Sequence, residues 1–137
     1  MVKGKERTDR EMKYVLEQVA EEVPGFLYTA VVDMEMAGTV YELSSPEMKG
    51  LDGAKAASLC TDLVRSHMRN LDYLGGEEVI GRTTDIFIAT DKYNVILRPL
   101  PEVMCCHVLL IKKDGPLGSA RATVQKYSDS ITRVLRG

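Results

Sequence analysis

The chain has 137 residues, of which 45% are hydrophobic and 28% are charged, and these values indicate one folded domain rather than a disordered or fibrous protein. Its 18 basic and 20 acidic residues give a formal charge of −2 and form no Lys/Arg stripe of the kind that binds phosphates, which argues against a nucleic-acid partner. No apolar stretch is long enough to span a bilayer, so membrane insertion is not expected.

The cysteines indicate a reducing compartment. Cys60, Cys105 and Cys106 make an odd set with two adjacent members, which is a poor disulfide framework. Since no secretory signal is recognisable either, a cytoplasmic location is expected. The sequence has no ligand pair such as C-x-x-C, so neither a metal nor another cofactor is expected.

The N-terminal part of the sequence reads as a short tail followed by an amphipathic helix. Residues 1–7 are expected to be flexible, and residues 8–137 are expected to form the single domain. Thr8 and Glu11 have the spacing of a capping box, which would start the helix. Apolar residues then recur every three or four positions until Pro24 and Gly25, which end the helix.

A hairpin and a long helix are predicted next. Residues 26–32 and 39–43 are rich in aromatic and β-branched residues and flank a polar turn, which is typical of two paired strands. A periodic stretch from about residue 52 to residue 74 predicts a middle helix that ends at Gly75 and Gly76. Its apolar residues cover about half of the helix circumference, which is wider than the usual buried stripe. We therefore expect this helix to contact two surfaces.

The remaining pattern completes an α/β fold. Residues 79–90, 93–100 and 103–111 are strand-like and are separated by short polar or proline-bearing links, and Pro116 opens a last helix. The order is αββαβββα. It predicts a three-layer sandwich in which a five-stranded antiparallel sheet carries the middle helix on one face and the two terminal helices on the other.

The width of the sheet predicts a homodimer. Several strands are apolar at consecutive positions, which indicates a sheet that is covered on both faces. Five strands about 4.8 Å apart make a sheet about 20 Å wide, whereas one helix covers about 10–12 Å. The middle helix cannot cover its face alone, and a second copy of the chain would complete the cover.

The order of these features resembles the Roadblock/dynein light chain family in its prokaryotic single-domain type. The resemblance rests on the helix exit at Pro24 and Gly25, the strand ending at Asp33 with its turn glycine Gly38, the long middle helix, and the last helix start between Leu117 and Arg121. It runs from about Thr8 to Arg136. It implies the same sandwich, with dimerisation through the middle helix and the strand that follows it.

The resemblance also implies a function. Members of the family are non-catalytic regulators or scaffolds of Ras-like small GTPases, and some stimulate GTP hydrolysis. The dimer interface is expected to include Leu59, Cys60, Leu63, Val64, His67, Ile80, Arg82, Thr84 and Ile86. The polar crest of the middle helix is expected to contact the GTPase through Lys55, Asp62, Arg65 and Arg69.

Other classes of function stay open. One alternative is a small-molecule sensor, which a monomer with a pocket between the sheet and the middle helix would favour. Another is a general protein-interaction module of similar α/β sandwich shape. An enzyme could use Cys105 and His107, which would share one face of a strand, although no third orienting residue is identifiable. The sequence lacks the motif G-x-x-x-x-G-K-[ST], so the chain is not itself expected to be the GTPase.

Overall fold

A computed structural model describes residues 2–48 and 50–137 of the chain. Within these residues the helices and strands follow the order αββαβββα, as predicted. Their bounds are α1 Val2–Glu22, β1 Phe26–Asp33, β2 Gly38–Ser44, α2 Gly53–Tyr73, β3 Ile86–Ala89, β4 Tyr93–Leu100, β5 Cys105–Lys112 and α3 Leu117–Arg136. Short 3-10 turns at Pro46–Met48, Gly76–Glu78 and Pro101–Val103 lie in the connections.

The five strands form one antiparallel sheet with the order β2-β1-β5-β4-β3. Helices α1 and α3 pack on one face, and α2 packs on the other. This arrangement confirms the predicted three-layer sandwich.

The core between the sheet and helices α1 and α3 contains fully buried side chains from both layers. Met12 and Val19 of α1, Val124 and Ile131 of α3, and Ile111 of β5 are all fully buried. Burying an aliphatic side chain of this size contributes about 1.5–3 kcal/mol. The helical spacing of these residues in the sequence therefore marks the side of each helix that holds the fold together.

Helix α2 begins and ends where the sequence indicates. The Asp52 carboxylate accepts hydrogen bonds from the backbone N–H groups of Ala54 and Lys55, at 3.0 and 3.3 Å, and so caps the helix. At the other end, Gly75 has a φ of 108°, a conformation that favours glycine, and it turns the chain away from the helix.

The predicted start of α1 is wrong. The helix already includes residues 2–7, which the sequence indicates as a flexible tail, while Met1 lies outside the described residues. The capping box does not form, because the Thr8 hydroxyl donates to the carbonyl of Gly4 inside the helix at 2.8 Å. An ion pair between Arg7 and Glu11 supports the same turn across the expected boundary.

The third strand is shorter than predicted. Pairing with β4 is confined to Ile86–Ala89, whereas the apolar pattern indicates a strand over residues 79–90. Val79 and Ile80 lie instead in a turn, and the backbone groups of residues 82–84 find no backbone partner in the described part of the chain.

Pro99 in β4 and Pro101 directly after the strand explain this early end. The β3–β4 register pairs Ile86 with Leu97, and its continuation places Thr84 opposite Pro99. The carbonyl of Tyr93 accepts from the N–H of Thr90, so the odd-numbered residues of β4 direct their backbone groups toward β3. Pro99, and Pro101 two residues later, have no N–H to offer on that side, and the ladder stops.

Candidate interaction surface

The two faces of the sheet differ in how well they are covered. On the face of α1 and α3, Ile96 and Leu109 are fully buried. Their strand neighbours Val95, Val108 and Leu110, which point to the α2 face, are only half-buried. Helix α2 lies mainly over β1 and β2, so the apolar surface of β3, β4 and β5 on that face is partly open.

Exposed apolar side chains lie next to this open area. Leu59 on α2 is 71% exposed, and Ile80 in the connection to β3 is 51% exposed. Tyr73, Leu74 and Val79 at the C-terminal end of α2 and in the turn after it are also exposed. Exposed apolar patches of this kind on soluble proteins mark interaction sites.

The residues predicted for the dimer interface occupy two different environments. Leu59, Ile80, Arg82 and Thr84 are exposed, and Leu63, His67 and Ile86 are half-buried, so these seven side chains have surface to offer to a second chain.

Cys60 and Val64 differ from the rest of that set, because both are buried against Leu97 and Cys106 of the chain's own sheet. Their positions on the apolar arc of α2 are as expected, but the arc is wide enough to serve both the chain's own core and an outer surface. Both side chains are already buried within one chain, and their contribution to a dimer interface stays a prediction.

His67 connects α2 to the segment that precedes β3. Its Nε2 lies 3.0 Å from the hydroxyl oxygen of Thr83, within hydrogen-bond distance. Since the backbone of residues 82–84 has no ladder, this side-chain contact is one of the few that hold the segment beside α2.

One of the four residues that are predicted to contact a partner is already engaged in a contact within the chain. Lys55, Asp62 and Arg69 are exposed on α2. The guanidinium of Arg65 instead donates a hydrogen bond of 2.7 Å to the carbonyl of Met34, in the turn between β1 and β2. Arg65 therefore fixes that turn against α2.

A groove that the sequence did not indicate lies beside this contact. Its volume is about 470 Å³, and Met34, Met68 and Met104 line it together with Pro99 and Pro101. The three methionines are far apart in the sequence and come from different parts of the fold. Only the sheet topology brings them together, so no local pattern could have revealed the groove.

Cys105 and His107 do not form the nucleophile–base pair of the enzyme hypothesis. Burial raises the pKa of the Cys105 thiol to about 11, and the carboxylates of Asp33 and Glu35 contribute to this rise. Such a thiol stays protonated at neutral pH and is a poor nucleophile. The His107 Nε2 lies 2.8 Å from the Thr29 hydroxyl, which fixes the imidazole by a contact other than Cys105.

The hydrogen bonds around His107 define its tautomer. The Thr29 hydroxyl donates its proton to the carbonyl of Val108 at 2.9 Å, so His107 Nε2 must be the donor in the contact with Thr29. Nδ1 is then a buried acceptor that has no partner in the described part of the chain. Burial lowers the pKa of His107 to about 4, with a further contribution from the charge of Arg98.

Neither a metal centre nor a membrane-spanning helix is formed by the residues that the structure describes. In residues 2–48 and 50–137, no three His, Cys, Asp or Glu side chains converge as metal ligands would. No helix in these ranges combines the length and the apolar character needed to cross a bilayer.

Comparison with known proteins identifies the fold. No family model and no curated protein sequence matches the chain. Among solved structures, the gliding protein MglB from Thermus thermophilus superimposes with a TM-score of 0.81 at 16% identity, covering 94% of this chain and 91% of that chain. MglB from Myxococcus xanthus gives a TM-score of 0.80 at 15% identity, with coverage of 93% and 90%.

A third similar structure is described as a Roadblock/LC7 domain. The Roadblock/LC7 domain from Streptomyces avermitilis gives a TM-score of 0.75 at 10% identity, covering 90% of this chain and 97% of that chain. Because the match extends over nearly the whole of both chains, it includes the sheet and all three helices. The chain therefore has the fold of prokaryotic Roadblock/LC7 domains.

Proposed function

We propose that this chain is a non-catalytic, cytoplasmic homodimer that binds a Ras-like small GTPase. The main support for the proposed dimer is the partly open face of the sheet on the α2 side. Val95, Val108 and Leu110 are half-buried there, whereas the opposite face of the same strands is sealed. A second α2 would bury this surface, and burial of apolar area is the main driving force for association.

The proposed interface combines a helix contact with a strand contact. Leu59, Leu63 and Ile80 supply apolar surface, and β3 is an edge strand whose outer side is free to pair with its twin. A symmetric pairing would place the same patch of both chains in contact. The shortness of β3 limits this pairing to a few residues, so the helices must supply most of the buried area.

The GTPase partner is proposed from the Roadblock fold and from the exposed crest of α2. Lys55, Asp62 and Arg69 are exposed on this helix, and dimerisation would double them into one mixed-charge surface. Charged groups arranged in this way favour specific encounter with a complementary partner. Stimulation of GTP hydrolysis would then follow if binding orders the switch loops of the GTPase.

The dimer is tested by light scattering on a sizing column. We expect a mass of about twice 15.2 kDa for the wild-type chain. Leu59→Asp should give a folded monomer, because Leu59 is exposed within one chain and its replacement costs the monomer little. Tyr14→Asp, at a 64% exposed position on α1, is the matched control and should remain a dimer. A wild-type monomer at high concentration would contradict the proposal.

The partner is tested with purified Ras-like GTPases from the same organism, each loaded with GDP or with a GTP analogue. We expect the immobilised chain to retain at least one of these GTPases. We expect Arg69→Glu to weaken that binding. Single-turnover hydrolysis in the presence of the chain then distinguishes activation from scaffolding. Failure to bind any of these GTPases in either nucleotide state would refute the GTPase assignment while leaving the dimer untouched.

A further inference from the structure

The methionine groove has the properties of a preformed protein-binding site. Its walls are α2 on one side, the turn between β1 and β2 on another, and the segment from Pro101 to Met104 on the third. Met104 is 53% exposed, and Met34 and Met68 are half-buried, so the groove is apolar and accessible. Methionine side chains are flexible and polarisable, and they are common on surfaces that adapt to apolar partners.

Backbone strain is concentrated at the same place. Only Ala37 and Met104 among the non-glycine residues in the described part of the chain have positive φ, at 51° and 53°. Met104 lines the groove, and Ala37 lies in the turn that carries Met34 into it. Strained backbone persists where the surroundings enforce it, and it clusters at ligand-binding sites.

Hydrogen bonds hold the walls of the groove in place. The N–H of Met34 donates to the carbonyl of Met104 at 2.9 Å, and Arg65 donates to the carbonyl of Met34 at 2.7 Å. These two bonds connect the three walls in series. A groove that is fixed in this way loses little conformational entropy when it is filled.

The floor of the groove favours a helix over a strand as the occupant. Pro99 and Pro101 offer no N–H groups, so an added strand would lack donors along this edge. The groove runs beside α2 from Val64 to Asp72, which is about 12 Å at 1.5 Å per residue. Side chains at positions i, i+3 or i+4, and i+7 of a docked helix span about 10 Å, which fits that length.

The charged residues on the rim of the groove indicate where the docked helix would carry acidic residues. Arg65 and Arg69 lie one turn apart on α2, and neither has an ion-pair partner among residues 2–48 and 50–137. Glu35 stands on the opposite wall, and Asp72 follows at the end of the α2 rim. Acidic residues on the edge nearest the two arginines would complement them.

We propose that this groove binds an amphipathic helix of a partner protein, with an aliphatic stripe against Met34, Met68 and Met104 and acidic residues against Arg65 and Arg69. The inference goes beyond the proposed function, because it needs neither a GTPase nor a dimer. It also gives the groove a ligand class that the small-molecule alternative does not share.

A designed peptide tests the proposal directly. The probe is a peptide of about 14 residues with leucines at helical spacing, glutamates along one edge of that stripe and lysines elsewhere. The full chain is labelled with carbon-13 at its methionine methyl groups and titrated with the peptide. We expect the signals of Met34, Met68 and Met104 to shift saturably, while that of Met12, which is fully buried in the core, stays in place.

Matched variants and a matched peptide complete the test. Arg69→Glu is at an exposed position and should retain the fold. It should weaken the affinity for the peptide by about threefold or more. Met68→Glu should weaken peptide binding by about tenfold or more, because its carboxylate would lose water against the leucine stripe and would compete with the peptide's glutamates for Arg65 and Arg69. Tyr14→Glu, on the far side of the molecule, should leave the affinity unchanged. A peptide of the same composition in scrambled order should not bind.

Three results would overturn the proposal. The groove methionines could fail to respond, or they could respond equally to the scrambled peptide. Loss of a wild-type dimer in Met68→Glu, together with its retention in Tyr14→Glu, would assign the groove to a second copy of the chain instead. None of these results depends on whether a GTPase binds, so they separate this proposal from the one above.

Discussion

The carboxylate of Asp85 accepts a hydrogen bond from the guanidinium of Arg98 at 2.9 Å, although only 1% of the Asp85 side chain and 18% of the Arg98 side chain are exposed. The other carboxylate oxygen accepts from Arg121 Nε of α3 at 3.0 Å. The guanidinium of Arg121 also lies over the Phe87 ring, 5.9 Å from its centroid. These two ion pairs therefore attach the start of β3 to β4 and to α3, at the point where the backbone hydrogen bonds between β3 and β4 end.

Removal of the Asp85 carboxylate should be among the most destabilising single changes in the chain. Asp85→Ala leaves Arg98 largely buried without a counter-charge, and breaking a buried pair in this way costs about 3–5 kcal/mol. Arg121→Gln is the control, because the Arg121 side chain is 53% exposed and exposed pairs contribute about 1 kcal/mol or less. Urea unfolding measures both free energies, and equal losses would show that the burial of Arg98 is not the cause.

Restoring an N–H at position 99 should lengthen β3. In Pro99→Val the new amide faces Thr84 and can donate to its carbonyl, so the ladder can extend by one further pair of residues. Hydrogen exchange followed by NMR should show a protected amide at position 99 and increased protection at Thr84. Pro116→Ala, at the start of α3, should change neither. An unprotected amide at position 99 would mean that something other than proline ends the strand.

Local chemistry in the sequence predicts most of this fold, and contacts between distant residues account for what it misses. The cap at Asp52, the glycine after α2 and the period of the buried residues all act within a few residues, so the helices and strand order are predictable. The end of β3 depends on Pro99, which lies on the neighbouring strand. The sequence pattern predicts that residues 79–85 belong to the strand. That pattern contains no information about whether the neighbouring strand can pair with them.

The same distinction applies to the candidate site. The width of the apolar arc on α2 predicts that the helix serves two surfaces, of which the structure shows the inner one and the outer one stays a prediction. The arc alone does not show which of its members face inward, and Cys60 and Val64 do. The methionine groove depends on residues that are more than 30 positions apart, and only the folded chain brings them together.

The thiol of Cys105 should react slowly in the native protein. Its pKa of about 11 lies two units above the ordinary value of 9.0, which lowers its thiolate fraction at neutral pH about 100-fold. Because all three cysteines are buried, reaction with a coloured disulfide reagent should be slow until urea exposes them. Tyr14→Cys adds an exposed thiol as an internal standard. A native Cys105 that reacts as fast as this standard would revive the enzyme hypothesis.

The stability of the protein should fall between pH 6.5 and pH 4 because of His107. The pKa of this histidine is about 4 in the folded chain and near its ordinary value of 6.5 when unfolded, since burial disfavours the imidazolium. Between these values the unfolded chain binds more protons, so the free energy of unfolding decreases as the pH falls, by about 3 kcal/mol at most. His107→Gln can still donate to Thr29 but cannot titrate, so urea unfolding of this variant between pH 7 and pH 4.5 should lose that slope. His67→Gln replaces the other histidine and should keep it. Parallel pH profiles for wild type and His107→Gln would show that carboxylates alone set the acid sensitivity.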